Sequence, residues 1–373
     1  MEDLIFLILI FLSLINSKIK CGNKFFYDYM EIENTNNVKG IFVWMIFFRH
    51  FTGYYLRNPK KVSIIIDISF DQNIVSLFLF YSGYGIYKSF LKKGIKYIKT
   101  LPIKSTFLFI KTQLILLIFL LNNIILHKKI SLKEYFYAVI LKKSIGNSYW
   151  FAFTIILVYI EAFFAFILIT NKKYNFLGII FLTIICFFHA KFVYKYYHPN
   201  EIISVDTIIC FITGFYYCYF QLYLDEIIMH NDINYFSLLS IIIYLYYKFY
   251  THYKKTILLY IILKNFFFTL IGVMLTMKIQ LKNDFLKFLN SHSYSIYLFQ
   301  RIIFIFISQK GILKSYPIIR FFWDFSIVIL MSCLFDKYSI YIDIFLKNYI
   351  KINHNNKDNK KLVDNEKNMN FQE

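Results

Sequence analysis

Residues 105–126 read STFLFIKTQLILLIFLLNNIIL, with Lys111 as the single charge and no glycine or proline. As a helix this run is ~33 Å long, enough to cross the ~30 Å hydrocarbon layer of a bilayer. Its apolar residues fall round the whole circumference, as they do on a helix that faces lipid. Similar runs occupy 39–56, 72–90, 149–170, 174–190, 201–224, 234–250, 256–278, 293–310 and 317–335. The sequence therefore predicts an all-α, polytopic integral membrane helical bundle of about ten transmembrane helices.

Composition excludes the other classes. Of 373 residues, 58% are apolar and only 17% charged, against ~25% in an ordinary soluble domain. A soluble globule of this length cannot hide so much apolar surface and still clothe itself in polar groups. The same numbers exclude disorder. The five cysteines have no metal-ligand spacing and no disulfide pattern, and read as small apolar fillers.

The net charge of +20 does not indicate nucleic acid, because the lysines sit in short clusters between apolar runs, as anchors to anionic headgroups do. Of 42 basic residues only Arg49, Arg57, Arg301 and Arg320 are arginine. An AT-rich genome produces that bias, so the arginines that persist gain weight as clues. Loop charge does not decide orientation, since lysines are similarly frequent on both sides.

Three regions follow. Residues 1–38 hold an apolar stretch at 4–16 behind Glu2 and Asp3, which suits a short extra or interfacial helix better than a signal peptide. Residues 39–335 are the transmembrane domain. Residues 336–373 begin with an amphipathic stretch at 338–351 and end in a polar tail without periodicity, expected to be disordered.

Ionisable groups inside apolar runs are costly and mark functional candidates. Lys39 and His50 are eleven residues apart, three helical turns plus ~20°, so both lie on one helix face ~16 Å apart. A neutral imidazole at depth is a usable general base; an interhelical hydrogen-bonding histidine, or an Arg49–His50 pair reaching the interface, is the alternative. In SLFLFYSGYGIYKSF, Ser82, Gly83 and Gly85 allow close approach of a helix or a ligand. The segment KKGIKYIKTLP carries Lys93, Lys96 and Lys99 at every third position, a basic stripe on a short helix ending near Pro102, suited to phosphate or to lipid headgroups. Glu161 and Lys264 could pair as a structural bridge.

Taken together, Lys39 and His50, FLFYSGYG at 78–85, the basic run closing in Pro102, SYWFAFTIILVYIEAFF at 148–164 and SYSIYLFQ at 293–300 resemble the acyltransferase-3 family of membrane O-acyltransferases. The resemblance covers nearly the whole spanning region with the motifs in order. It implies an enzyme that takes an acyl group, usually acetyl, from acetyl-CoA or another acyl-CoA on the cytoplasmic side. The group passes to a hydroxyl of a cell-surface polysaccharide or envelope glycan.

His50 matches the family's first-helix histidine. Lys39 stands where the family has arginine, and Lys96 and Lys99 where it has a basic pair. Gln300 stands where a histidine is often seen, and carries no acid-base role. The resemblance thus implies His50, as base or as transient acyl carrier, and Lys39 as catalytic, and Lys96 and Lys99 as donor-binding. Beside it, the residues themselves suggest Arg49 as a catalytic oxyanion stabiliser, Lys93 as a further donor-binding cation, and Ser82, Tyr84 and Glu161 near the substrate. It implies no metal, and a multi-pass protein of a bacterial cytoplasmic membrane. The alternatives are a secondary transporter or exporter of a glycan or lipid-linked substrate, with His50 and Glu161 in a proton relay, and a family member that has lost catalysis.

Overall fold

The computed structural model describes residues 2–55, 73–142, 144–147, 150–169, 171–196, 205–252, 258–310 and 316–369. Arg57 and the Ser148–Tyr149 start of the SYWFAF motif lie outside these residues. The chain begins with α1 (Glu2–Leu14), β1 (Lys18–Ile19), α2 (Ile32–Tyr55), α3 (Asn73–Lys93), the short α4 (Ile95–Ile98) and α5 (Leu101–Ile125). It continues through α6 (Leu132–Val139), α7 (Trp150–Phe166), α8 (Asn175–Tyr196), α9 (Val205–Ile228), α10 (Asp232–His252) and α11 (Leu258–Lys278). Last come β2 (Ile279–Gln280), α12 (Asp284–Ser291), α13 (Ser293–Lys310) and α14 (Pro317–Met369).

All ten apolar runs fall on helices. Among the described residues, six helical stretches are long and apolar enough to cross a bilayer: Asn73–Lys93, Ile95–Ile125, Asn175–Phe192, Thr207–Ile228, Leu259–Lys278 and Pro317–Phe345. The protein is a multi-pass membrane protein built as an all-α bundle. Helices α2, α7, α10 and α13 fall short of that length or hydropathy. In α2 the shortfall comes from Asn34, Asn36, Asn37, Lys39, Arg49 and His50, of which Asn34 and Asn37 are buried.

Ring contacts fix the helix directions. On α2, Phe42 meets Phe78 of α3 at 6.1 Å, and the Lys39 ammonium lies 5.9 Å from the Tyr81 ring, so these two helices are antiparallel. Asn290, at the end of α12 three residues before α13 begins, donates through Nδ2 to Asn36 Oδ1, while Phe47 packs on Phe304 of α13 at 4.9 Å, so α13 runs parallel to α2. Phe47 on Phe325 and Phe51 on Phe321 make α14 antiparallel to α2. The start of α2, the end of α3 and α4 therefore share one end of the bundle.

Helices α3 and α9 approach at two glycines. A methyl added to Gly83 would fall on the Phe211 carbonyl oxygen, and one added to Gly214 on the Phe80 carbonyl oxygen. No larger residue fits either place without moving a helix. The N-terminal helix packs on α2, where Trp44 Nε1 donates to Ser13 Oγ at 2.9 Å. The two strands pair antiparallel, Lys18 opposite Gln280 and Ile19 opposite Ile279, and tie residues 18–19 to the end of α11.

Two stretches differ from their sequence reading. The basic stripe is not one helix. Gly94, at φ +63°, ends α3 after Lys93, α4 is four residues long, and Pro102 opens α5 in its first turn instead of closing the stripe. At the C-terminus, α14 runs unbroken to Met369, where a separate helix and a disordered tail were expected. Residues 318–369 contain no glycine or proline to stop a helix.

Candidate functional site

A cavity of about 460 Å³ lies among α2, α3, α7 and α13 and reaches α4 and α5. That is within the ~300–1,000 Å³ usual for small-molecule sites. On α3 it runs from Val75 to Ser89, which spans ~21 Å of helix. On α2 it takes the face of Lys39, Val43 and Ile46. Gly85 is what keeps it open: nothing lies within 4 Å of a methyl placed there.

Among the described residues the lining holds one ammonium, Lys39, and no carboxylate. Five phenols (Tyr81, Tyr97, Tyr159, Tyr294 and Tyr297) and the hydroxyls of Ser82, Ser89 and Ser293 supply the other donors. Ser82 Oγ and Tyr159 OH are hydrogen-bonded at 3.0 Å, and Tyr294 OH bonds Thr112 Oγ1 at 2.6 Å. Donor-rich walls with a net positive charge suit a ligand rich in oxygen acceptors or negative charge.

Sequence-expected residues fall into three places. Lys39 and Ser82 line the cavity. His50 sits one turn beyond Ile46 on the same α2 face, ~6 Å along the axis, half-buried, and within electrostatic reach of Arg49 and Arg301. Arg301 Nη1 donates to the Asn147 carbonyl at 3.3 Å. Neither His50 nor Arg49 lines the cavity itself. Lys93, Lys96 and Lys99 are exposed at the α4 end, flanking Tyr97. Lys104 joins that rim, donating to Tyr97 OH at 3.1 Å.

The third place is away from the cavity. Tyr84 OH donates to Gln221 Oε1 at 2.7 Å, Gln221 Nε2 donates to Asp225 Oδ2 at 3.2 Å, and Tyr29 OH donates to Asp225 Oδ1 at 2.5 Å. Burial pushes the Tyr29 phenol up, which keeps it a proton donor to that carboxylate. Glu161 of α7 pairs through Oε1 with His189 of α8, and Cys186 Sγ donates to its Oε2 at 3.2 Å. The partner of Glu161 is thus His189, where the sequence reading had offered Lys264.

Sequence reading missed Tyr97, Tyr294, Tyr297, Asn290 and Gln300 as lining residues. A signal for part of this set was present: Ser293, Tyr294, Tyr297 and Gln300 recur at helical spacing along α13, which draws a polar stripe on one face. Compared with models of known protein families, with curated proteins and with solved structures, the chain matches none.

Proposed function

We propose that the chain is a membrane O-acyltransferase of the acyltransferase-3 kind, working in a bacterial cytoplasmic membrane. It would move an acyl group, acetyl in the first instance, from acyl-CoA to a hydroxyl of a cell-surface polysaccharide or envelope glycan. One observation carries the reading. A cationic, donor-rich cavity starts beside an exposed lysine rim and runs inward along the α2 face that ends in His50.

The roles follow from that layout. Lys93, Lys96 and Lys99 meet the phosphates of CoA as point charges. Lys39 and the phenols take the carbonyl oxygens of the arm. His50 accepts the proton of the acceptor hydroxyl as its oxygen attacks the thioester carbonyl. The C–O bond forms, the C–S bond breaks, and the proton passes from the imidazole to the leaving sulfur, giving free thiol and ester. Arg49 stabilises the oxyanion of the intermediate. Proton-coupled export through a His50–Glu161 relay is less favoured, because Glu161 is already engaged by His189 on other helices.

The test is thiol release from acetyl-CoA, succinyl-CoA and longer acyl-CoA by membranes containing the protein, with envelope glycan as acceptor. Wild type should release thiol in a glycan-dependent way, and His50→Ala at matched abundance should lose it by ~10²–10⁴-fold. Equal background in both would reject acyl transfer for these donors and turn attention to transport.

A further inference from the structure

Gln300 is fully buried on α13 and lines the cavity. Its Nε2 donates to the Tyr297 carbonyl oxygen at 3.1 Å. A carbonyl can only accept, so the amide nitrogen must be the atom on that side, and the orientation of the side chain is settled by chemistry. The other atom, Oε1, is buried with no hydrogen-bond partner among the described residues. An acceptor left bare in a bundle core is costly unless something arrives to satisfy it.

The rest of the cavity offers the Lys39 ammonium, phenols and hydroxyls that donate or accept, and the Asn290 amide. Gln300 Oε1 differs from these hydroxyls in that it can only accept, and it is buried without a partner among the described residues. A secondary amide matches the inventory: its C=O takes a donor from the wall, and its N–H takes Gln300.

We propose that Gln300 is the residue that recognises the bound molecule, its Oε1 accepting a hydrogen bond from a secondary amide N–H. Two sources carry that group, the pantetheine arm of the acyl donor and the N-acyl group of an amino sugar. The first rests on the acyl-transfer reading; the second does not.

The experiment compares amide with ester at one position. Full-length protein in lipid nanodiscs is titrated with CoA and with a CoA analogue whose amide nearer the sulfur is replaced by an ester. A second pair is N-acetylglucosamine and 2-O-acetylglucose, and both pairs are repeated on Gln300→Met. Wild type should bind CoA about tenfold more tightly than its ester analogue, and Gln300→Met should bind the two alike. The same pattern confined to the sugar pair would uphold the role of Gln300 and remove the acyl donor from this cavity. Equal binding within both pairs by wild type, a preference that survives Gln300→Met, or no binding of any probe would overturn the proposal. The comparison on wild type alone decides the point if the variant does not fold.

Discussion

The two faces of α3 are built from the same residue types and do opposite things. On one face Gly83 closes against α9, Tyr84 bonds Gln221, and Tyr87 packs against Phe166 and Phe215. On the other face Ser82, Gly85, Ile86 and Ser89 border open space. Glycine permits contact in the first case and preserves a void in the second. The polar groups divide in the same way: those behind Gly83 complete one another through Tyr29, Gln221 and Asp225, while Lys39 has no carboxylate partner and Gln300 has a bare oxygen among the described residues. A paired buried group holds helices together.

Substituting the two glycines alike is the strongest way to break the comparison. Gly83→Leu should cost ~3 kcal/mol or more by forcing α3 and α9 apart, seen as loss of monodisperse protein after extraction. Gly85→Leu should fold with stability within ~1 kcal/mol of wild type and lose CoA binding, because its side chain grows into the cavity. Equal damage from both would erase the distinction between the faces.

Lys39 sharpens it at smaller scale. Among the described residues Lys39 has no ion pair and its ammonium meets only the Tyr81 ring at 5.9 Å, so Lys39→Met should leave thermal stability within ~1 kcal/mol of wild type. CoA should bind the variant about tenfold more weakly, and Lys39→Arg should restore most of the loss. Loss of stability in Lys39→Met would mean the group is structural after all.

The smallest effect belongs to a satisfied pair outside the membrane. Lys287 Nζ lies 2.7 Å from Glu33 Oε1 and holds that carboxyl below its ordinary value. A lowered carboxyl contributes stability above its ordinary titration range and loses it as pH falls through the lowered value. The melting temperature should therefore drop slightly on acidification below the ordinary carboxylate range, and Glu33→Gln should remove that part of the drop. With Glu33 68% exposed, solvent screens most of the interaction.

What was legible in the sequence was what a single segment determines. Ten apolar runs gave ten helices, since length and hydropathy are local properties. The shared face of Lys39 and His50 also needs only helical geometry. The cavity was not legible, because runs that are apolar all round do not say which side meets which neighbour. Tyr97 reaches the lining only because Gly94 turns the chain, and Gln300 only because α13 lies alongside α2. Gln300 looked like a lost histidine when read along the chain; its significance comes from the missing partner, which is a property of three dimensions. The end of α14 was misread because a polar composition argues against a core but not against a helix.

The β1–β2 ribbon bears on the order in which the protein is made. It joins residues 18–19 to residues 279–280, and three of the five helices packed on α2, namely α12, α13 and α14, lie beyond that point. At ~5–20 residues per second a ribosome takes on the order of tens of seconds to reach them. Throughout that interval α2, carrying Lys39, Arg49 and His50 and falling short of a free-standing membrane span, has only its early neighbours α1 and α3 for shelter. The segment that holds the proposed chemistry must therefore enter the bilayer early and complete its surroundings last.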